Sequence, residues 1–321
     1  LLGIEGISVL LIVIVLVVIV AKLIGGSAPG DQSITLDAFK VPGGTSLDTI
    51  GLAAVFGFLS FAGFEGAASL GEETDDPTRN IPRAIGTAVR VAGGFYIVCI
   101  IAQTWGFGTD AAGVKAFGSS SSPLGDLSKS YVGSGLSDLI NLGATISAFA
   151  SGLGTATAGS RILFAMARDG FASRRLGQAS RRTGAPAGAL AVVMTIGLAV
   201  VIVQRIVDTS PANAFFYPGT IGVLSLLVAY IVTNLGAIRF LFIAARRAPI
   251  WQLAIPIIAI AFLGYTIYKN VKGTSFPYDR FPLVVAIWLV VGAAITVVFP
   301  RLTRSIGESL ARREGISTDD A

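Results

Sequence analysis

The chain has 321 residues, of which 53% are hydrophobic and only 13% are charged, whereas about a quarter of a soluble domain is charged. It has no histidine and one cysteine, Cys99, which excludes imidazole catalysis, histidine metal sites and a disulfide framework. The formal charge of +5 does not indicate nucleic-acid binding, because the basic residues flank long uncharged stretches. The composition therefore predicts an all-α polytopic membrane protein, surrounded by lipid and without enzyme activity.

Eight stretches along the chain come close to the ~20 apolar residues that a helix needs to cross a bilayer. Glu5, at the inner edge of the first, is interpreted as a solvated charge. Two outer loops are expected, at 25–48 and 110–138, and a short helix at 124–131 is expected to lie on the surface. The predicted spans are 3–24, 49–71, 84–108, 137–168, 187–207, 213–244, 249–269 and 281–300, followed by a charged cytoplasmic tail at 301–321.

The basic residues indicate the orientation of these spans. An even number of spans puts both termini on one side, and the segments on that side hold 16 of the 24 Lys and Arg residues. The positive-inside rule places that side in the cytoplasm. We therefore expect a multi-pass protein of the plasma membrane, namely a bacterial cytoplasmic membrane, with both termini cytoplasmic.

The second span, 49–71, has three features that a lipid-facing helix avoids. Its glycines each cost about 1 kcal/mol relative to alanine, its phenylalanines recur every third residue, and its carboxylate, Glu65, is costly in a bilayer unless it faces protein or water. These features predict a discontinuous helix, broken near 61–64, because irregular backbone at membrane depth must line a cavity or be buried in protein. A straight, glycine-rich packing helix is the alternative. The glycines are Gly51, Gly57, Gly63, Gly66 and Gly71, and the phenylalanines are Phe58, Phe61 and Phe64.

Such a break predicts a binding site for a small zwitterion. Backbone carbonyls freed at the break can accept hydrogen bonds from an ammonium group, and the N-terminus of the following half-helix can bind a carboxylate. The aromatic rings beside the break are then positioned to close over the ligand as a gate.

The loop after this span completes a longer pattern. It is an acidic helix exit with a turn at Asp76–Pro77, and Asn80 is predicted to cap the next helix, with Pro82 in its first turn. The pattern consists of Phe61-x-Gly63-Phe64-Glu65 and then Glu72-Glu73-Thr74-x-x-Pro77-x-Arg79-x-Ile81-Pro82-Arg83-Ala84-Ile85. It resembles the sixth helix and following loop of the amino acid–polyamine–organocation permeases. A second run, SRILFAMARDG at 160–170, is similar to the cytoplasmic end of the eighth helix of that family.

The resemblance implies the inverted-repeat (LeuT-like) transporter fold, with the eight spans corresponding to helices five to twelve and the first four helices lacking. It implies secondary active transport of amino acids or small amines, by proton-coupled symport or exchange. The alternative is a truncated remnant that does not transport. A separate chain that supplies the missing helices is a further expected partner.

The resemblance also implies roles for residues around the break. The backbone of Phe61, Ala62 and Gly63 faces the substrate amino group, and Phe61 or Phe64 forms the gate. Glu65 is either a proton-coupling carboxylate or a structural hydrogen-bonding group that links the gate to neighbouring helices. The implied substrate-binding residues here are Ser60, Phe61, Ala62, Gly63 and Phe64.

Three hydroxyl side chains share one face of the fourth span. Ser147, Ser151 and Thr155 recur every four residues, which aligns them along a helix. Ser151 and Thr155 are interpreted as substrate contacts, or the row lies where sodium-coupled relatives hold sodium; interhelical packing is the alternative. No cofactor is expected beyond a coupling proton or sodium ion.

Overall fold

The computed structural model describes residues 2–40, 45–180, 182–244, 248–298 and 300. These residues are predominantly helical, and no strand occurs among them. The predicted tail at 301–321 lies outside the described residues. The α-helices are α1 (Leu2–Ile24), α2 (Leu47–Phe61), α3 (Pro77–Phe107), α4 (Ala111–Ser119), α5 (Pro123–Tyr131), α6 (Ser134–Arg168), α7 (Ala187–Ile206), α8 (Pro211–Ile238), α9 (Ala254–Lys272) and α10 (Phe281–Val298). A 3₁₀ segment, Phe64–Glu73, follows α2, and a π-helical segment, Arg239–Ala244, follows α8.

Seven helical segments of the described chain are long and apolar enough to cross a bilayer. They match seven of the eight predicted spans, so the prediction of a polytopic all-α membrane protein is confirmed. The remaining predicted span, 49–71, consists of α2 and the 3₁₀ segment. With 15 residues α2 is about 22 Å long, which is shorter than the ~30 Å hydrocarbon core.

The chain divides into two compact units. The first contains the described residues within Leu1–Pro42 and Gly63–Arg161, and the second contains those within Gly43–Ala62 and Ile162–Ala321. The core of the first unit lies between α1, α5 and α6, with a smaller cluster between α1 and α3 that includes the buried Cys99. Its main core residues are Val15, Ile19, Leu23, Leu127, Tyr131 and Ile140.

The predicted outer loop at 110–138 folds into α4 and α5. A short helix at 124–131 is confirmed, but its predicted position on the surface is wrong, because Leu127 and Tyr131 are each only 2% exposed. The Tyr131 hydroxyl donates to the Gly106 carbonyl of α3 at 3.1 Å, and the Ser137 hydroxyl donates to the Gly125 carbonyl at 2.9 Å. These bonds attach α5 to α3 and to α6.

The second unit is built on α2, α8, α9 and α10. The Lys269 ammonium of α9 lies 2.6 Å from the Asp48 carboxylate at the start of α2, and the Tyr265 hydroxyl donates to the same carboxylate at 3.2 Å. Gly51 permits this close packing, since a Cβ there would lie 2.6 Å from the Tyr265 ring. The core side chains are Val55, Val223, Leu224, Leu227, Leu263, Phe281 and Val285.

The start of α3 differs from the prediction. Asp76 precedes the helix with φ 45°, Pro77 is its first residue, and Pro82 lies within the helix. The predicted cap at Asn80 is therefore wrong, and the Asn80 amide instead donates to the Asp75 carbonyl at 2.6 Å. A proline with fixed φ suits the first helical position, so Pro77 starts the helix earlier than the apolar pattern suggests.

Candidate functional site

The helix predicted to be discontinuous is broken at Ala62 and Gly63. The Ala62 N–H still donates to the carbonyls of Phe58 and Leu59, at 2.9 and 3.2 Å, so α2 closes normally. Ala62 then leaves the helical region with φ −55° and ψ 129°, and Gly63 adopts φ 116° and ψ −17°. Because its ψ is extended, the Ala62 carbonyl no longer points along the axis of α2. The predicted break is thus confirmed in position and in kind.

Gly63 is needed here for its backbone conformation. Residues that carry a side chain rarely adopt a backbone φ of 116°, so any residue other than glycine is strained at this position. Space is not the constraint, since no atom lies within 4 Å of the place that a Cβ would occupy. Gly57, within α2, has equally open surroundings but a helical φ. The two glycines therefore differ in backbone conformation and not in the space around them.

The carboxylate of Glu65 caps the break. The Gly63 N–H donates to Glu65 Oε2 at 3.0 Å, so the side chain reaches back to the residue that precedes the 3₁₀ segment. The bond corresponds to one half of a capping box, in which an acidic side chain satisfies an N–H that a helix end leaves open. Glu65 is two residues after the cap residue instead of three, and the cap residue, Gly63, has no side chain to form the reciprocal bond. Glu65 is half-buried. A structural role for Glu65 thus has direct support within its own segment, and its proton-coupling role stays a prediction.

The predicted substrate residues occupy consecutive positions around the break. The Ser60 hydroxyl, on the last turn of α2, donates to the Phe56 carbonyl at 3.0 Å. Phe61 and Phe64 flank the break and are both half-buried. Ser60, Phe61 and Ala62 belong to the second unit, whereas Gly63 and Phe64 belong to the first.

The hydroxyl row of α6 divides into two environments. The Ser147 hydroxyl donates to Glu5 Oε2 of α1 at 2.9 Å, whereas Ser151 and Thr155 are exposed. Ala158, one turn beyond Thr155, lies 4.0 Å from the position of a Cβ at Gly66 in the 3₁₀ segment. The structure therefore brings this part of α6 beside the segment that follows the break, and makes Ser147 a link between α1 and α6.

Glu5 belongs to a polar cavity that the sequence did not reveal. The cavity has a volume of about 520 Å³ and lies between α1, α3, α5 and α6. The interpretation of Glu5 as a solvated end charge is wrong, because its carboxylate is half-buried and accepts the Ser147 hydrogen bond. A sequence signal was present, namely a carboxylate on the apolar first helix. Its partner lies 142 residues away and has no signature of its own. The polar side chains that line the cavity include Glu5, Ser8, Gln103, Ser122 and Ser147.

Comparison with known proteins decides the family. A sequence model described as "Amino acid permease" matches residues 4–299. The chain belongs to the amino acid permease family. This match covers both motifs that carried the resemblance, and it makes the chain a multi-pass membrane protein of a transporter family.

Three relatives of this permease-family chain are named as transporters without a stated substrate. Uncharacterized transporters of Mycobacterium bovis and of two strains of Mycobacterium tuberculosis are each 32% identical to it over 163 residues. The matched region covers 51% of this chain and 34% of each relative. The chain therefore spans about a third of the length of the curated relatives it matches.

Proposed function

We propose that the chain is part of a secondary active transporter that moves amino acids or small amines across a bacterial plasma membrane, with both termini cytoplasmic. The observation that carries this proposal is the broken backbone at Ala62–Gly63 in a helix that would otherwise cross the bilayer. Membership of the amino acid permease family supports the substrate class.

The break supplies complementary groups for a zwitterion. The C-terminal end of α2 carries partial negative charge from its last carbonyls, and Ala62 directs its own carbonyl away from the helix axis. These oxygens suit a substrate ammonium group. The N-terminal end of the 3₁₀ segment begins directly afterwards and offers N–H groups to a carboxylate. In this proposal Phe61 or Phe64 is the gate. Ser151 and Thr155 of α6 are candidate substrate contacts.

Glu65 supports a proton as the coupling ion. When ionised, its carboxylate accepts from the Gly63 N–H, which is then occupied. Protonation weakens that hydrogen bond, because bonds to an ionised acceptor are about twice as strong as neutral ones. The Gly63 N–H is thereby released to bind the substrate carboxylate. Proton binding and amino-acid binding would favour each other, as symport requires.

Uptake of radiolabelled amino acids into proteoliposomes tests this function. The protein is reconstituted with any separately encoded helices that copurify with it, and uptake is measured with and without an inward proton gradient. Uptake that rises with the gradient supports proton-coupled transport. The absence of both uptake and binding for all amino acids and amines would contradict the proposal and favour a remnant that does not transport.

A further inference from the structure

An apolar groove with a volume of about 760 Å³ runs between α1 and α3 in the first unit. Val17, Val91 and Val98 line it and are 61%, 67% and 56% exposed. Gly94 widens the groove on the α3 side, where no atom lies within 4 Å of a Cβ position. The lining thus offers a long hydrophobic surface that no other described part of the first unit covers.

A positively charged side chain lies at one end of the α3 side of the groove. Arg90 of α3 is the single charged residue among those that line it. Its Nε donates to the Gly86 carbonyl at 2.9 Å, so the side chain lies back toward the N-terminus of α3. From Val91 to Phe107 the helix is uncharged for about 25 Å. Arg90 therefore marks the boundary between the apolar part of α3 and its charged beginning.

Two further arginines of α3 lie on the N-terminal side of Arg90. At 100° per residue, Arg79, Arg83 and Arg90 fall within about 40° of one another around α3. All three are exposed, and none forms an ion pair with a side chain in the described ranges of the chain. A row of three exposed arginines, each without an ion-pair partner among the described side chains, thus leads from the start of α3 to the apolar groove.

We propose that this groove binds an acyl chain of an anionic phospholipid, whose phosphate is held by Arg90 and Arg83. The combination of an apolar channel and Arg90 at one end of its α3 side fits an anionic lipid better than an apolar protein helix, which would bury this charge without a partner. Arginine binds phosphate through paired N–H donors. Basic pockets between membrane helices on the cytoplasmic side are known sites for acidic lipid headgroups. The inference goes beyond the transport function and does not depend on it.

Native mass spectrometry of the purified full chain in detergent tests the site, with phosphatidylglycerol and phosphatidylcholine as probes. Wild type should retain phosphatidylglycerol in preference to phosphatidylcholine. Arg90→Gln should weaken phosphatidylglycerol binding about fivefold, and Arg83→Gln with Arg90→Gln roughly 25-fold. Arg174→Gln, at an exposed arginine in the loop after α6, is the matched control and should change binding less than twofold.

A variant of the groove itself separates the site from general attraction to positive charge. Val98→Trp places an indole in the channel and keeps every arginine, so it should abolish the preference for phosphatidylglycerol. Equal retention of both lipids by wild type, or equal effects of Arg90→Gln and Arg174→Gln, would overturn the proposal. So would a wild-type preference that Val98→Trp leaves intact, or a copurified polypeptide whose presence excludes lipid.

Discussion

Replacement of Gly63 by alanine tests the break most selectively. The added methyl group meets open space, so the change acts through the backbone alone. An alanine held at φ 116° costs about 1–3 kcal/mol. The segment can relieve that strain by moving to a negative φ, which changes the backbone of the break; a continuous helix, in which alanine is favoured, is one such conformation. We therefore expect Gly63→Ala to weaken amino-acid binding by about fivefold or more.

The assay is equilibrium binding of radiolabelled amino acid to the detergent-solubilised protein, together with its Tm. Gly57→Ala is the matched control, because it adds the same methyl group to equally open surroundings in the same stretch of chain. Gly57 has a helical φ, so alanine there should stabilise α2 by up to about 1 kcal/mol and leave the affinity within about twofold. Equal affinities and equal Tm changes for the two variants would refute the assignment of Gly63 as the strained residue of the break.

Three further pairs of variants test other contacts, and the second variant of each pair is the control. Glu65→Gln keeps an acceptor for the Gly63 N–H but removes the charge, so uptake should lose its dependence on the proton gradient. Glu65→Asp, which keeps the charge, should retain that dependence. An unchanged pH profile of uptake by Glu65→Gln in proteoliposomes would rule out the proton-coupling role. Ser147→Ala leaves the half-buried Glu5 carboxylate without its donor and should lower the free energy of unfolding by about 1.5–3 kcal/mol. Thr145→Ala, at an exposed hydroxyl bonded to its own helix, should cost under about 0.5 kcal/mol, and similar losses for the two would contradict the link between α1 and α6. Lys269→Met should lower the Tm, because the Lys269 side chain is only 14% exposed and bonds to Asp48 at 2.6 Å. Asp208→Asn, the control, disrupts the ion pair of Arg205 and Asp208, whose side chains are 82% and 97% exposed, and should change the Tm little. A Tm loss as large as that of Lys269→Met would contradict this reasoning.

The break was predictable because its causes are local. A left-handed residue requires glycine, and the carboxylate that caps it is two positions away, so Gly63 and Glu65 carry the signal within three consecutive residues. The same reasoning misread Gly51, which was counted as a residue that weakens the helix. In the structure it admits the ring of Tyr265, which is 214 positions away.

Contacts between distant helices were not predictable in the same way. Nothing in the composition of α1 pairs Glu5 with Ser147, since a hydroxyl on a helix face serves a carboxylate, a substrate or a backbone carbonyl equally well. The burial of α5 was missed for a similar reason. Its mixed polar and apolar sequence suits the membrane surface, and only the position of Gly106 on α3 shows that the Tyr131 hydroxyl has a buried partner.

Hydrogen–deuterium exchange of peptides that cover 58–66 measures most directly whether the opened backbone at Ala62–Gly63 holds the substrate. Without amino acid, these amides should exchange faster than those of α8 beyond Pro218, where the helix continues to Ile238 without another proline. Saturating amino acid should then slow exchange at Gly63 and its neighbours and leave α8 unchanged. Slow exchange at Gly63 that substrate does not alter, in a protein that binds the substrate, would contradict a binding site at the break.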